Sequence, residues 1–269
     1  MLRKYSNSRT LSDNIKLGTL TAFTAGMVNV ASLLIFFAFT SNVTGHYAIL
    51  AAEIVKGNVY QVAVVFSWIF LFFLGSFTSN LIVIHFNARS KYFAHATPIL
   101  LEMICLTAVG FYGHFFYRET LAETELLLSL MLFAMGLQNG LTASISNFTV
   151  KTTHLTGTTT DLGILCAMFT KKEFRSNPEL LGKAKLLSAI TVSFIAGAVL
   201  SGLIYMHIQF RIFFLISFCL LLVILYDLYR VRIMRYLAAG RRSARGIAMG
   251  SIQPVAGIAE RKEQEVAAY

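Results

Sequence analysis

The chain has 269 residues, of which 56 % are apolar and 13 % are charged, and its mean hydropathy is +0.66. A typical soluble domain carries about twice this share of charged residues, so the composition excludes a soluble globular protein. The net charge of +10 would suit a nucleic-acid partner. In a membrane protein, however, basic residues report orientation, and we expect no binding of nucleic acid.

Apolar runs of about 20 residues recur along the chain, and each is long enough to cross a hydrocarbon core roughly 30 Å thick as a helix. The runs are continuous rather than alternating, which excludes membrane strands. We therefore predict an all-α, polytopic helical membrane protein. Pro98 is expected in the first turn of the third span, where a helix tolerates proline. Six spans are predicted, at residues 17–39, 59–85, 98–117, 126–145, 186–206 and 210–229.

Basic residues cluster at the two ends and in alternate loops. Residues 1–16 form a polar, basic leader, and residues 230–269 form an Arg-rich tail without an apolar run. Twenty of the 23 Lys and Arg residues fall in segments that share one side of a six-span protein, namely 1–16, 86–97, 146–185 and 230–269. Because cytoplasmic loops are enriched in both, we expect cytoplasmic N- and C-termini. The tail is also expected to bind anionic lipids.

Two parts of the chain resemble each other. Ala25-Gly-Met-Val-Asn29 matches Met135-Gly-Leu-Gln-Asn139, and each stretch is followed by a Thr-Gly pair, Thr44-Gly45 or Thr156-Gly157, at which we predict a turn. Short apolar stretches then follow at 46–55 and 162–169, which are too short to cross. Within one membrane domain, we thus predict a first repeat at 17–117 and a second at 126–229.

Each repeat contains three crossings and one short broken or re-entrant helix. Because three is an odd number, the second repeat enters the membrane from the opposite side, which gives a 3+3 inverted repeat. Inverted repeats with broken helices are an architecture of secondary transporters. The alternative is a chance match, since small residues are common wherever membrane helices pack closely.

The quoted stretches also resemble a known family. Ala25-Gly26, Thr40-Ser-Asn-Val-Thr-Gly45, Ala134-Met-Gly-Leu-Gln-Asn139 and Thr152-Thr-His-Leu-Thr-Gly-Thr-Thr-Thr-Asp-Leu-Gly163 are similar to the YoaK family, also called the DUF1275 family. The similarity covers roughly residues 17 to 230. It implies a multi-pass protein of the bacterial cytoplasmic (inner) membrane, and it implies no particular substrate.

Polar residues in the predicted spans and turns are candidates for a solute site. The two asparagines would provide amides from equivalent places, although bonding between helices is an alternative role for them. The candidates are Asn29, Thr44, Gly45, His46, Glu102, Gln138, Asn139, Thr156, Gly157 and Asp161.

For three acidic residues, a structural role is the alternative to a role in a functional site. Asp161 is expected to open a short helix that Thr158 caps, where its charge balances the helix dipole. Glu102, near the predicted start of its span, either faces the bundle interior or reaches the interface. Glu53 is expected to pair with Lys56 on a helix surface.

The sequence contains no Ser/His/Asp spacing, nucleotide-binding glycine loop or HExxH pattern. We therefore expect no enzyme, cofactor or metal; a lipid-modifying enzyme with Glu102 or Asp161 as base is the least supported class. We predict a secondary transporter or permease of a small polar or anionic solute. Six spans are few for alternating access, which favours a homodimer. The alternative is a membrane scaffold or lipid-binding accessory protein whose basic tail docks on lipid headgroups.

Overall fold

The computed structural model describes residues 9–225 and Tyr229, and every regular element in this part of the chain is helical. The predicted all-α fold is therefore confirmed. A single-turn 3-10 helix, Gln209–Arg211, follows α8 and precedes the last described helix, α9, at residues 212–225. The other helices are α1 (Leu11–Phe36), α2 (Val43–Lys56), α3 (Val59–Phe86), α4 (Lys91–Phe115), α5 (Leu121–Ile145), α6 (Leu155–Met168), α7 (Lys172–Arg175) and α8 (Pro178–Ile208). Residues 1–8 of the predicted leader and the whole Arg-rich tail lie outside the described residues.

In the described part of the chain, five helical segments are long and apolar enough to cross a membrane. Four of them are α1, α3, α4 and α5. The fifth, Pro178–Leu225, is 48 residues long and includes α8, the 3-10 turn and α9. A straight helix of that length would be more than twice as long as a hydrocarbon core is thick. The described chain is thus a helical membrane protein.

Several spans begin earlier than the apolar runs predict. α1 begins at Leu11 because Thr10 and Asp13 form a capping box, so the last part of the predicted leader is helical. α4 begins at Lys91, which corrects the expected place of Pro98. This proline lies in the helix interior, where it cannot donate to the carbonyl of Ala94. The capping box therefore places the start of α1, whereas hydropathy reports only the apolar middle of each span.

Aromatic contacts define one face of the bundle. The ring of Phe36, at the end of α1, lies 6.0 Å from Tyr117 and 5.9 Å from Phe210. We call this face A. On the opposite side, face B, the start of α1 meets the start of α8, since a Cβ on Gly182 would lie 3.1 Å from Leu11. Consequently α1 and α8 run from face B to face A, side by side and parallel.

The other long helices have equally clear directions. α3 runs parallel to α5, because Tyr60 donates to Glu125 near the start of both and Ser144 donates to Asn80 near the end of both. Val150, just after α5, packs against the start of α1, so α5 runs from face A to face B. α9 runs antiparallel to α4.

Two hydrogen bonds between α4 and α9 show that these helices are antiparallel. The hydroxyl of Tyr92, at the start of α4, donates to the carbonyl of Ile224 at 2.9 Å. Further along, Thr107 donates to Ser217 at 3.2 Å. α9 therefore returns from face A toward face B.

Glycines allow α1 and α8 to touch through their backbones. A Cβ on Gly26 would overlap the carbonyl oxygen of Phe194, and a Cβ on Gly197 would overlap the carbonyl oxygen of Phe23. Each helix thus contributes one Phe-x-x-Gly sequence, and the glycine of each faces the phenylalanine carbonyl of the other. Small residues permit this close approach in membranes.

The same arrangement joins α3 and α5. A Cβ on Gly75 would overlap the carbonyl oxygen of Phe133, and one on Gly136 would overlap that of Phe72. Ser76 strengthens the contact by donating to the carbonyl of Gly136 at 3.0 Å. We call the two contacts the α1–α8 and α3–α5 glycine contacts.

The two short helices lie in segments that do not change face. Residues 37–58, which contain α2, leave α1 at face A and join α3 at face A. Residues 146–177, which contain α6, leave α5 at face B and join α8 at face B. Each short helix has 14 residues, about 21 Å in length, and their packing partners are α3 for α2 and α8 for α6.

Candidate functional site

One cavity in the bundle is lined by residues from both predicted repeats. It has a volume of about 530 Å³, and we call it the central cavity. Asn29 of α1 and Asn139 of α5 both line it, together with the first residues of α2 and α6. The full lining is Asn29, Val30, Phe39, Ser41, Asn42, Val43, Thr44, Phe72, Asn139, Ala143, Lys151, Thr153, His154, Leu155, Thr156 and Phe194.

The Asn29 amide joins α1 to the segment before α2. Its Nδ2 donates to the Ala25 carbonyl at 2.8 Å, one turn earlier in the helix. Its Oδ1 accepts from the Ser41 hydroxyl at 2.9 Å. One N–H and one lone pair of the amide remain for a further partner. Asn29 is thus first a positioning residue.

Asn139 repeats this arrangement in the second half of the chain. Its Nδ2 donates to the carbonyl of Met135 at 2.8 Å, and its Oδ1 accepts from the hydroxyl of Thr153 at 2.8 Å. The two asparagines therefore hold the two entry segments of α2 and α6 against the long helices. In doing so they bring both short-helix N-termini to one cavity.

The predicted Thr-Gly turns are instead the first turns of the short helices. α2 begins at Val43, where the Asn42 side chain accepts from the Gly45 N–H at 3.2 Å. A Cβ on Gly45 would lie 2.7 Å from the Asn42 side-chain nitrogen. A larger residue at this position would have to displace the capping side chain, and no break in the helix occurs there.

α6 begins in the same way. His154 is its N-cap residue, and a Cβ on Gly157 would lie 2.7 Å from the His154 ring. Thr44 and Thr156, just before the two glycines, line the central cavity. Gly45 and Gly157 do not line it; they leave room for the side chains that do.

The groups that line the central cavity give it a positive electrostatic character. The first N–H groups of a helix lack intrahelical acceptors, and its N-terminus carries a partial positive charge. Two such termini meet here. Lys151 adds a full positive charge, while none of the lining residues is acidic. The cavity otherwise presents the aromatic side chains of Phe39, Phe72 and Phe194.

A second, larger cavity of about 820 Å³ opens toward face B between α1, α6 and α8. It shares Lys151 and His154 with the central cavity, so these two residues stand between the two spaces. We call it the face-B cavity. Its wall includes an ion pair across α6 and α8, in which Lys183 Nζ lies 3.0 Å from Asp161 Oδ2.

The position of Asp161 corrects its predicted role. Because α6 begins at Leu155, Asp161 is its seventh residue and does not open the helix. Thr158 is not the N-cap residue either, since its hydroxyl donates to the carbonyl of His154 within the helix. Asp161 lines the face-B cavity and not the central cavity.

Three further predicted site residues also lie away from the central cavity. His46 is buried with its Nε2 3.0 Å from the Phe39 carbonyl oxygen, and its ring meets Trp68 edge-on. Gln138 is buried and donates to Thr24 at 2.8 Å, which links α5 to α1. Glu102 is fully buried in the middle of α4, so it does not reach the membrane interface.

The predicted surface pair at the end of α2 is confirmed. Lys56 Nζ donates to Glu53 Oε1 at 2.6 Å, and Asn58 donates to the other carboxylate oxygen. These bonds hold the pKa of Glu53 below its ordinary value, the Lys56 hydrogen bond having the largest effect.

Several residues of the site are absent from the sequence-based set. Ser41 and Thr153 are separated by the same 112 residues as Thr44 and Thr156, so that spacing would have found them. Phe72 and Phe194 begin two of the four Phe-x-x-Gly sequences, whose recurrence would have identified them. Lys151 has no such sequence signal.

Comparison with known proteins gives a family and nothing narrower. No curated protein and no solved structure matches the chain. A family model described as "Protein of unknown function (DUF1275)" matches residues 17–226. These residues include every helix of the bundle apart from the start of α1. The chain is thus a membrane protein that belongs to the DUF1275 family.

Proposed function

We propose that this protein is a secondary transporter or permease for a small polar or anionic solute, with the central cavity as its binding site. The observation that carries the proposal is that the N-termini of two short helices, which enter from opposite faces, meet at one cavity between the spans. Discontinuous helices of this kind form the substrate sites of several secondary transporters.

We further propose six crossings arranged as a 3+3 inverted repeat. α8 runs from face B to face A, and α9 returns toward face B after the turn Gln209–Arg211. These opposite directions, like those of α4 and α5, support a separate crossing by α8 and by α9. Residues separated by 110 positions make equivalent contacts, as Asn29 and Asn139 do. Gly75 and Gly197, which are 122 positions apart, also make equivalent contacts, since each faces a phenylalanine carbonyl of its partner helix.

Face B is proposed to be the cytoplasmic face of a bacterial inner membrane. The segments 86–97 and 146–185, which lie at face B, contain eight Lys and Arg residues. Face A has Lys56, Arg118 and Arg211. This asymmetry agrees with the enrichment of basic residues in cytoplasmic loops. The face-B cavity then opens to the cytoplasm and supplies a route to the central cavity past Lys151 and His154.

The glycine contacts suggest which parts move. α1 with α8, and α3 with α5, are in backbone contact, so each pair is expected to move as one body. Each pair contains one helix from each repeat. Transport by alternating access would therefore rock α1 and α8 against α3 and α5, and not the first repeat against the second.

Flux measurements in proteoliposomes test the function. A panel of small carboxylates, phosphates, sulfate and amino acids is first screened for thermal stabilisation of the purified protein, since a ligand of the folded state raises its apparent stability. Flux of the stabilising compounds is then compared between wild type, Asn139→Ala and Gly157→Leu.

We expect both variants to lose flux. Asn139→Ala frees the entry segment of α6, and Gly157→Leu displaces the His154 ring from the cavity wall. Gly163→Leu is the matched control, because Gly163 lies on the same helix and a Cβ added there would meet no described atom of another element within 4 Å. Unchanged flux in the first two variants would reject the central cavity as the site.

Two partners are proposed from the sequence. Anionic lipids would bind the basic tail after residue 229, which lies outside the described residues, and a second copy of the chain would form a homodimer. Vesicle binding with and without phosphatidylglycerol tests the first, in wild type and in a chain truncated after residue 230. Light scattering of the detergent-solubilised protein tests the second.

A further inference from the structure

Glu102 is the one described carboxylate that is fully buried in the bundle without any hydrogen-bond partner. Its side chain is 0 % exposed, and both carboxylate oxygens are buried and unpaired. Ile99, Leu106 and Val109 lie on the same face of α4 and are also buried, so the surroundings along the helix are apolar. Glu102 is the twelfth of the 25 residues of α4, close to the middle of the span.

A structural role does not account for this residue. Buried polar side chains stabilise membrane helices when they bond to a neighbouring helix. Gln138 does this by donating to Thr24, and Thr107 does it by donating to Ser217. Glu102 donates to nothing and accepts from nothing, so its burial has a desolvation cost that no hydrogen bond offsets.

Among the described residues, no basic side chain donates a hydrogen bond to Glu102. The elements packed against α4 are α3, α5, the turn Gln209–Arg211 and α9. Their described basic groups are His85, near the end of α3, and Arg211, which donates to His114 beside face A. On α4 itself, His95 lies two turns toward face B, and Lys91 and His114 are near the helix ends.

The other titratable groups on these elements are not cationic partners either. Cys105 lies one turn from Glu102 and would repel a carboxylate if it were ionised. The remaining ones are Tyr60, Tyr92, Tyr112, Glu123, Glu125 and Cys219. An unpaired charge in this environment is disfavoured, so the carboxylic acid is the form that the observed packing accommodates.

We propose that Glu102 is a proton-binding site, separate from the solute cavity, through which transport is coupled to protons. This rests on the proposed transport function. Glu102 does not line the central cavity, so a proton and a solute can occupy the protein together. The reaction is protonation of one carboxylate oxygen and its reversal. In the observed conformation the acid is closed to both faces, and rocking of the helix pairs would admit water from one face at a time.

Infrared spectroscopy of the full-length protein in lipid nanodiscs tests the proton site without any solute. We expect wild type at neutral pH to show the carbonyl band of a protonated carboxylic acid that lacks a hydrogen bond. Glu102→Gln should remove this band, and Glu102→Asp should retain a protonated carboxyl. Glu53→Gln, which alters an exposed carboxylate, should leave the band unchanged. A wild-type spectrum without the band, or an unchanged band in Glu102→Gln, would overturn the proposal.

Coupling is tested in proteoliposomes that contain a trapped pH-sensitive dye. For a compound that wild type carries, an imposed proton gradient should drive accumulation. Glu102→Gln should still exchange the compound but lose gradient-driven accumulation by tenfold or more. Accumulation at the wild-type level in Glu102→Gln would refute the coupling role. If no compound of the panel moves, the transport proposal fails, while the infrared result still decides whether Glu102 holds a proton.

Discussion

The α1–α8 glycine contact predicts a large effect of a very small change. In Gly26→Ala the new methyl group would overlap the Phe194 carbonyl, which belongs to the backbone and cannot rotate away. Overpacking of a tight interior typically costs about 1–3 kcal/mol, and backbone overlap belongs at the upper end. Alanine also returns about 1 kcal/mol in helix propensity. We therefore expect a net loss of about 2 kcal/mol.

Thermal unfolding in detergent micelles, followed by far-ultraviolet circular dichroism, measures this loss. For a protein of this size, about 2 kcal/mol corresponds to a decrease in Tm of roughly 4–8 °C. Gly136→Ala, which meets the Phe72 carbonyl, should behave in the same way. Gly163→Ala is the control and should raise Tm slightly, because the new methyl group meets no atom within 4 Å. A Tm for Gly26→Ala equal to that of Gly163→Ala would refute the direct backbone contact.

Three more substitutions give measurable outcomes. Asn139→Ala removes the hydrogen bonds that hold the segment before α6. The free energy of unfolding should fall by about 1–2 kcal/mol, and amide hydrogen exchange at residues 150–156 should become faster. Exchange at the wild-type rate would contradict the positioning role. Asp161→Asn breaks an ion pair with Lys183 whose two side chains are 51 % (Lys183) and 42 % (Asp161) exposed. The free energy of unfolding, measured by thermal unfolding, should therefore change by less than about 1 kcal/mol. Pro98→Ala restores the missing bond to the Ala94 carbonyl and should stabilise α4 by up to about 3 kcal/mol, which would raise Tm; an unchanged or lower Tm would contradict this expectation.

Hydropathy predicts the helical class, because burial in lipid requires long apolar runs, and each of the five described segments that could cross a membrane contains such a run. It failed at the helix starts. Leu11 and Lys91 begin helices well outside the apolar runs. At Leu11 the capping box of Thr10 and Asp13 determines the start, whereas Ser90, before Lys91, forms no side-chain cap bond. The same limitation misplaced Asp161, because the polar residues before it already form the first turn of α6.

Part of the lining of the central cavity follows from the sequence. Repeated spacing picks out Asn29, Thr44, Asn139 and Thr156, which line this cavity, and their role in binding a solute stays a prediction. Spacing cannot tell which residues of an apolar helix face one another, so Gln138 and Glu102 were grouped with the site although their side chains point elsewhere. Lys151 was missed because its importance comes only from the folding of residues 146–154 back toward Asn139.

The α1–α8 glycine contact also has a consequence for synthesis of the chain. Gly26 is made roughly 170 residues before its partner Phe194, and translation at about 5–20 residues per second separates them by roughly 10–35 s. During that interval α1 has already entered the bilayer with its glycine surface against lipid or a helper protein. The interval between the synthesis of α3 and that of α5 is much shorter. A newly inserted chain is therefore vulnerable to misassembly chiefly through its first helix, which remains without its partner until the last third of the protein is inserted.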